Sequence, residues 1–204
     1  MTPSWIWYLN RATGIVALVL MTLTLVLGVV VRRQGRLPGL PRFGVVTLHR
    51  NVSLLSALLL VTHVIAAVVD SYVSIGWISV LVPFTSGWRP VQVALGTLGI
   101  DLLVLIVVTS LLRGRIPVRL WRGIHWTSYA LWPLAFLHGL TAGTDLGSGW
   151  ALAVALLCAG AAGTAAALAW TGRTTRPADR APAALAETTS ALRSGARVAV
   201  FRNR

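Results

Sequence analysis

The sequence predicts an all-α integral membrane protein, built as a bundle of five transmembrane helices. Hydrophobic residues make up 56% of the 204 residues and charged residues only 11%, whereas about 25% of the residues of a soluble domain are charged. Five stretches of roughly 20 residues are nearly free of charge, and that length crosses a hydrocarbon layer about 30 Å thick. This composition excludes an ordinary soluble domain.

The five predicted spans follow one another along the chain. The second and fourth each hold one arginine near the start, Arg50 and Arg122, and the third holds Asp101 near its middle. The fifth begins and ends with tryptophan, which is typical of the aromatic belts at membrane interfaces. Residues 75–83 are apolar but too short to cross, so we expect an interfacial or re-entrant helix there. The predicted spans are 12–31, 45–69, 93–112, 120–140 and 150–170.

The distribution of arginine predicts the orientation in the membrane. The net charge is +13, and all 18 basic residues are arginine. Only Arg11 and Arg89 fall on one side of the predicted membrane, whereas the others follow span one, surround the start of span four, or lie in residues 171–204. The positive-inside rule places the N-terminus outside and the C-terminus in the cytoplasm of a plasma-membrane protein. Residues 171–204 are interpreted as a disordered, Arg/Ala-rich cytoplasmic tail. Nucleic-acid binding is disfavoured because the arginines are split over three segments.

All four histidines lie inside predicted spans. His49 and His63 are in span two, and His125 and His138 are in span four. Ionisable residues within spans are rare and usually functional, and two pairs on two helices are hard to explain as packing. Spans two and four run in the same direction. His49 and His125 are therefore expected near the cytoplasmic face, and His63 and His138 nearer the outer face, about 20 Å away along the helices.

Each layer offers two histidines to a ligand. A zinc site needs three or four protein ligands, and the one cysteine, Cys158, lies in span five. Haem iron takes four bonds from its own ring, so two axial histidines complete it. The pattern predicts two haems stacked across the membrane as an electron path. The inner iron would be held by His49 and His125, and the outer iron by His63 and His138.

Three features have more than one interpretation at this level. The 13-residue step from His125 to His138 turns the second side chain about 140° away on a regular helix, and Pro133 between them is expected to kink the span. Asp101 either accepts a hydrogen bond from a ligand histidine or is protonated and bonded to a serine or threonine. Gly96 admits either a porphyrin face or a close helix crossing.

The histidine spacing resembles that of the ferric reductase-like transmembrane domain. It is carried by the segments LHRNVSLLSALLLVTH and IHWTSYALWPLAFLHG. That family includes ferric reductases, NADPH oxidases and the haem-binding membrane subunit of a periplasmic methionine sulfoxide reductase system. The resemblance covers about residues 8–142 and implies two b-type haems, with the first histidines of the two spans paired and the second histidines paired.

The resemblance also implies where flavin is bound. Family members that work alone continue into a cytoplasmic module for FAD and NAD(P)H, whereas no G-x-G-x-x-G occurs in this sequence. The segment VPFTSG at 82–87 is similar to the family's flavin-binding HPFT but lacks the histidine, and we interpret it as a turn. Flavin is therefore expected only on a partner protein.

Arginines near the histidines are candidate partners for the anionic propionates of haem. Arg11 and Arg89 are the arginines available on the outer side. The alternative for every candidate is a topological or snorkelling role at the membrane surface. Three arginines beside the inner histidines are candidates for the inner haem: Arg50, Arg119 and Arg122.

The sequence favours a dihaem b-type membrane electron-transfer protein. It would carry electrons between a cytoplasmic flavoprotein or a quinol and an extracytoplasmic acceptor, such as ferric iron, an FMN protein or another reductase. It would serve as the membrane haem subunit of an oxidoreductase, without catalytic residues of its own. The alternatives are a histidine-based metal-ion transporter, which has only two ligands per layer, and a membrane anchor subunit, which leaves the histidines unexplained.

Overall fold

The computed structural model describes residues 4–35, 37–70, 73, 75–143, 145 and 149–171. Within these residues the secondary structure is helical, apart from an isolated bridge between Leu37 and Leu40. The predicted tail, 171–204, lies outside the described residues beyond Thr171. The helices are α1 (Ser4–Arg32), α2 (Arg42–Val69), α3 (Ile78–Leu81), α4 (Pro90–Leu111), α5 (Val118–Trp126), α6 (Ser128–Ala142) and α7 (Gly149–Thr171).

Four of the described helices are long and apolar enough to cross a membrane: α1, α2, α4 and α7. Prolines define two helix starts, because a proline fixes its own φ and needs no N–H partner in the first turn. Pro41 precedes α2, and Pro90 occupies the first turn of α4. These helices contain the first, second, third and fifth predicted spans.

The fourth predicted span differs from a single continuous helix. It is divided into α5 and α6, which meet at Thr127. The Thr127 hydroxyl donates to the carbonyl oxygen of Ile124 at 2.7 Å, and the backbone N–H of Thr127 donates to the same oxygen at 3.0 Å. A threonine side chain that competes for a local carbonyl favours such a break. Pro133, where a kink was predicted, lies inside α6.

The predicted interfacial segment contains the short helix α3. The Thr97 hydroxyl of α4 donates to the carbonyl oxygen of Ser79 at 2.6 Å and so ties α3 to α4. The side chains of Ile78 and Leu81 are exposed. After α3, the Thr85 hydroxyl donates to the carbonyl oxygen of Val82 at 2.8 Å, a local contact consistent with the turn predicted at 82–87.

The core of the bundle forms around α1, which packs against α2, α6 and α7. Buried alanines of α7 form a line spaced alternately by four and three residues, and small side chains let two helix backbones approach closely. A second cluster, of Met21, Ile106 and Leu131, joins α1, α4 and α6 near the middle of the bundle. The buried face of α7 consists of Ala151, Ala155, Cys158, Ala162, Ala165 and Ala169.

Candidate functional site: two pairs of histidines

The outer pair is formed by His63 of α2 and His138 of α6. Their ring centroids are 6.3 Å apart, and the ring planes are inclined at 85°. His63 Nδ1 donates to the carbonyl oxygen of Asn10 in α1 at 2.8 Å, and His138 Nδ1 donates to that of Gln92 in α4 at 2.8 Å. A carbonyl only accepts, so both hydrogens lie on Nδ1 and each Nε2 keeps its lone pair.

The inner pair is formed by His49 of α2 and His125 of α5. Their ring centroids are also 6.3 Å apart, with the planes at 69°. His49 Nδ1 donates to the carbonyl oxygen of Thr24 at 3.0 Å. His125 differs, because its buried Nδ1 has no hydrogen-bond partner among the described residues. Instead, its ring stacks on Trp121 with a centroid separation of 5.0 Å and an angle of 26°.

The division between α5 and α6 brings both histidines of span four to α2. On one regular helix, His125 and His138 would point about 140° apart. The break at Thr127 gives each histidine its own helix segment, and each ring meets a different histidine of α2. The 13-residue spacing thus spans an interruption of the helix at Thr127, whereas Pro133 lies inside α6.

Glycines on α1 make room for the two histidines of α2. A Cβ placed on Gly14 would lie 3.0 Å from His63 Cε1, and one on Gly28 would lie 3.3 Å from His49 Cε1. In both cases the carbonyl that accepts from the histidine belongs to the residue four positions before the glycine. Sequence reasoning missed these glycines, although their 14-residue separation matches that of His49 and His63.

The third glycine contact repeats the arrangement on α4. A Cβ on Gly96 would lie 2.9 Å from both Cε1 and Nδ1 of His138, and the acceptor residue Gln92 again precedes the glycine by four positions. Of the two sequence interpretations of Gly96, the structure shows a close approach by a histidine of α6. Ser110 lies 14 residues further along α4, and its Oγ accepts from Trp121 Nε1 at 3.4 Å. His125 therefore lies against a tryptophan ring, whereas the other three histidines lie against a glycine.

A cavity of about 330 Å³ lies beside the outer pair. His63 and His138 both line it, and most of its remaining surface is apolar. Arg11 and Asp145 line it as well and form an ion pair with each other. Trp7 lies under the Arg11 guanidinium, with the Cζ atom 4.2 Å from the ring centroid. The cavity therefore combines two imidazoles, an apolar wall and a cationic group.

Most of the arginines predicted to pair with haem propionates do not lie beside the histidines. Arg50, Arg119 and Arg122 are exposed and make no hydrogen bond or ion pair with the described residues. Arg89 has a structural contact, because its Nη1 donates to the carbonyl oxygen of Thr141 at 2.7 Å near the end of α6. Of the five candidates, only Arg11 lines the cavity at the outer pair.

Two other arginines lie near the inner pair, and sequence reasoning missed both. Arg32 is one helical turn after Gly28, its Cζ lies 4.5 Å from the Trp126 ring centroid, and its buried Nη1 has no hydrogen-bond partner in the described part of the chain. Arg113 lies over the Trp121 ring, with Cζ 4.3 Å from the ring centroid. Arg32 is the last residue of α1 and Arg113 follows the end of α4, and at such positions the positive-inside rule alone accounts for an arginine in the sequence.

Asp101 is exposed on the outer surface of α4. Its carboxylate makes no hydrogen bond with any described residue, so neither a ligand histidine nor a serine or threonine is its partner there. The Nδ1 atoms of His49, His63 and His138 are bonded to backbone carbonyls instead. The histidine interpretation of Asp101 is therefore wrong for these three rings.

The fold and the site define a multi-pass helical membrane protein with two intramembrane histidine pairs. Residues 13–136 match the family described as "Ferric reductase like transmembrane component". Because the match covers more than half of the chain, the protein belongs to this family, and the resemblance predicted from sequence is confirmed. No curated protein and no solved structure shows a significant match. Family membership indicates that the protein takes part in electron transfer in a membrane.

Proposed function

We propose that this chain is a dihaem b-type protein that moves electrons across the plasma membrane. Each haem would be held by two histidines, His49 with His125 at the inner site and His63 with His138 at the outer site. The observation that carries the proposal is the 6.3 Å separation between ring centroids in both pairs. When bound, haem supplies a one-electron carrier at each site.

The spacing of the rings fits one metal ion between them. A metal–imidazole bond is about 2.05 Å long, and each bonding nitrogen lies about 1.1 Å from its ring centroid. Two imidazoles on opposite sides of one metal ion therefore have centroids about 6.3 Å apart. The separation in both histidine pairs equals this value.

The backbone hydrogen bonds prepare the histidines for this role. Three of the four rings donate from Nδ1 to a main-chain carbonyl, which fixes the tautomer and leaves Nε2 as the ligand atom. At the fourth ring, Trp121 restricts the plane of His125 by stacking. The histidine rings are thus oriented by backbone carbonyls and a stacked tryptophan, and no carboxylate of the described residues takes part.

Two arginines are suited to the propionates of these haems. At the inner site we assign Arg32, because its buried Nη1 has no partner among the described residues and a guanidinium pairs well with a carboxylate. At the outer site we assign Arg11, which lines the cavity and pairs with the carboxylate of Asp145. A propionate would offer Arg11 an anionic partner of the same kind.

The two sites are arranged as steps across the membrane. His49 and His63 are 14 residues apart on α2, which is about 21 Å along the helix axis. The apolar cluster of Met21, Ile106 and Leu131 joins α1, α4 and α6 between the two layers. With the arginine-rich segments in the cytoplasm, a flavoprotein or quinol would deliver electrons to the inner site, and an extracytoplasmic acceptor would receive them from the outer site.

A haem assay on the purified full chain tests this proposal. Haem-replete expression is expected to yield about two b-type haems per chain, because the chain offers two pairs of histidines. A pyridine haemochrome measurement gives the ratio, and a reduced-minus-oxidised spectrum identifies the haem type. A ratio near one, or none, contradicts the proposal. The metal-ion transporter has no support of this kind, since no group of three or more His, Cys, Asp or Glu that could hold a metal ion occurs among the described residues.

A further inference from the structure

The outer surface of α4 carries a line of exposed side chains with regular spacing. Its members are separated by three, four, three and four residues, which is the spacing of a heptad seam between two helices. The buried line of alanines on α7 has the same alternation and is covered by neighbouring helices. This line, here called the α4 seam, consists of Leu98, Asp101, Leu105 and Val108 of α4 together with Leu112, which directly follows α4.

Asp101 is the polar member of the α4 seam. It lies 12 residues from Arg89 and 12 from Arg113, or about 18 Å along the helix axis from either, so it is near the middle of the span. Its carboxyl group makes no hydrogen bond to the described residues. A carboxyl group that faces hydrocarbon without a partner is costly. The surface around Asp101 therefore requires a partner that brings a hydrogen-bonding group to this depth.

We propose that the partner is a second copy of this chain, packed along the α4 seam. Two copies with the same topology place Asp101 at the same depth, and a two-fold axis brings a surface patch against itself. The two carboxyl groups are then opposite each other, so each copy brings a hydrogen-bonding group to the depth at which the other needs one. The remaining seam residues are apolar and of similar size, so they pack as a left-handed helix pair of the kind common in membranes.

A second copy fits the α4 seam better than an unrelated helix. The seam carries a single polar group, so its partner needs one matching group at the middle of the span. The chain itself carries that group at the required depth. This inference depends on α4 spanning the membrane and is independent of what the histidines bind.

Cysteine cross-linking in native membranes tests the dimer. In a Cys158→Ala background, Leu105→Cys and Val108→Cys place single thiols on the seam, whereas Leu58→Cys places one on the exposed surface of α2 as a matched control. Oxidation is expected to give covalent dimers from both seam variants and none from the control. Equal cross-linking at Leu58, or no dimer from either seam variant, overturns the proposal.

Substitution of Asp101 tests the polar contact. Asp101→Asn keeps a hydrogen-bonding group and is expected to keep the dimer, whereas Asp101→Leu is expected to weaken association about three- to thirty-fold, the range measured for hydrogen bonds between membrane helices. Dimer fractions are compared at matched protein-to-lipid ratios, with Leu105→Trp as a second disruptive variant. Unchanged dimer fractions in both disruptive variants overturn the proposal, as does cross-linking of the seam thiols only to a different protein.

Discussion

At the scale of single residues, the site depends on contacts between histidine rings and helix backbones. Gly14, Gly28 and Gly96 each allow an imidazole to lie against a neighbouring helix. The ring then reaches a carbonyl one turn earlier, which already accepts a backbone hydrogen bond within its own helix. A side chain at any of these glycines would push the ring away from the neighbouring helix and from the carbonyl that accepts its hydrogen bond. The missing Cβ therefore matters to the geometry as the histidine does.

The pairing of the histidines predicts which substitutions share an effect. His49→Ala and His125→Ala are each expected to deplete the inner haem, and His63→Ala and His138→Ala the outer haem, because each removes one axial ligand. Haem content should fall from about two to about one per chain in every case. Redox titration of each variant identifies the centre that remains.

The double variant provides the matched control for this prediction. His49→Ala/His125→Ala is expected to retain the outer haem, since His63 and His138 are both intact. If His49→Ala matched His138→Ala in spectrum and midpoint potential, the pairing would be different from the one proposed.

A glycine substitution tests the close approach at the outer site. In Gly96→Ala the new Cβ would lie 2.9 Å from the His138 ring, so the ring must move and its bond to Gln92 must lengthen. We expect the outer haem to be lost or to show an altered low-spin electron paramagnetic resonance signal, while the inner signal is unchanged.

Gly160→Ala is the control for this experiment. Gly160 lies in α7, and a Cβ there meets no atom within 4 Å. Alanine is favoured over glycine within a helix by about 0.5–1 kcal/mol, so this variant is expected to keep both haem signals and to be at least as stable. Equal disturbance of the outer signal by both substitutions would argue against a specific role for Gly96.

At the scale of helices, the break between α5 and α6 sets the directions of His125 and His138. The Thr127 hydroxyl and the backbone N–H of Thr127 both donate to Ile124, and α6 begins at the next residue. Because of the break, His125 and His138, which are 13 residues apart, each meet a histidine of α2 in a separate layer. On α2 the 14-residue step returns almost to the same face of a regular helix, so no break is needed there.

An insertion at the break tests this role of the helix division. One alanine inserted after Thr127 turns α5 about 100° relative to α6, so His125 is expected to leave the inner site while His138 keeps its place. Haem content should fall to about one per chain, with the outer centre retained.

An insertion in the neighbouring connection is the control. One alanine added after Gly114, in the exposed segment between α4 and α5, leaves both helices intact and is expected to preserve about two haems. Retention of both haems after the Thr127 insertion would show that the geometry of the break does not determine ligation.

At the scale of the whole molecule, the helices act as one scaffold with two ends of different charge. α1 contacts α2, α6 and α7, and α4 contacts α6, so residues of four different helices complete the outer site. The positive-inside rule predicts that the arginine-rich ends lie on one side of the membrane. This asymmetry distinguishes the inner site from the outer site.

Reporter fusions test the orientation. A reporter active only in the cytoplasm is expected to function at the C-terminus, and one active only outside is expected to function at the N-terminus, because most arginines lie on the C-terminal side. The reversed result would exchange the inner and outer sites and reverse the proposed positions of donor and acceptor.

The sequence by itself determined that the chain is a membrane protein, which family it belongs to, and which four histidines form the candidate site. These follow from local quantities: the length of apolar runs, the spacing of His49 and His63, and the positions of charged residues. It also predicted two histidine layers, because the direction of a span follows from its number in the chain. Four of the five predicted spans fall largely within one helix each, because apolar runs mark them in the sequence.

Only the tertiary structure decided how the rings are held and which charges lie near them. Gly28 lies against His49 of α2, and Arg32 lies over Trp126 of α5. Arg113 lies over Trp121, whose ring stacks on His125. Such relations depend on helix rotation and packing, which hydropathy does not encode. The same reason explains why Arg50, next to a histidine in sequence, is exposed: residues adjacent on a helix point about 100° apart.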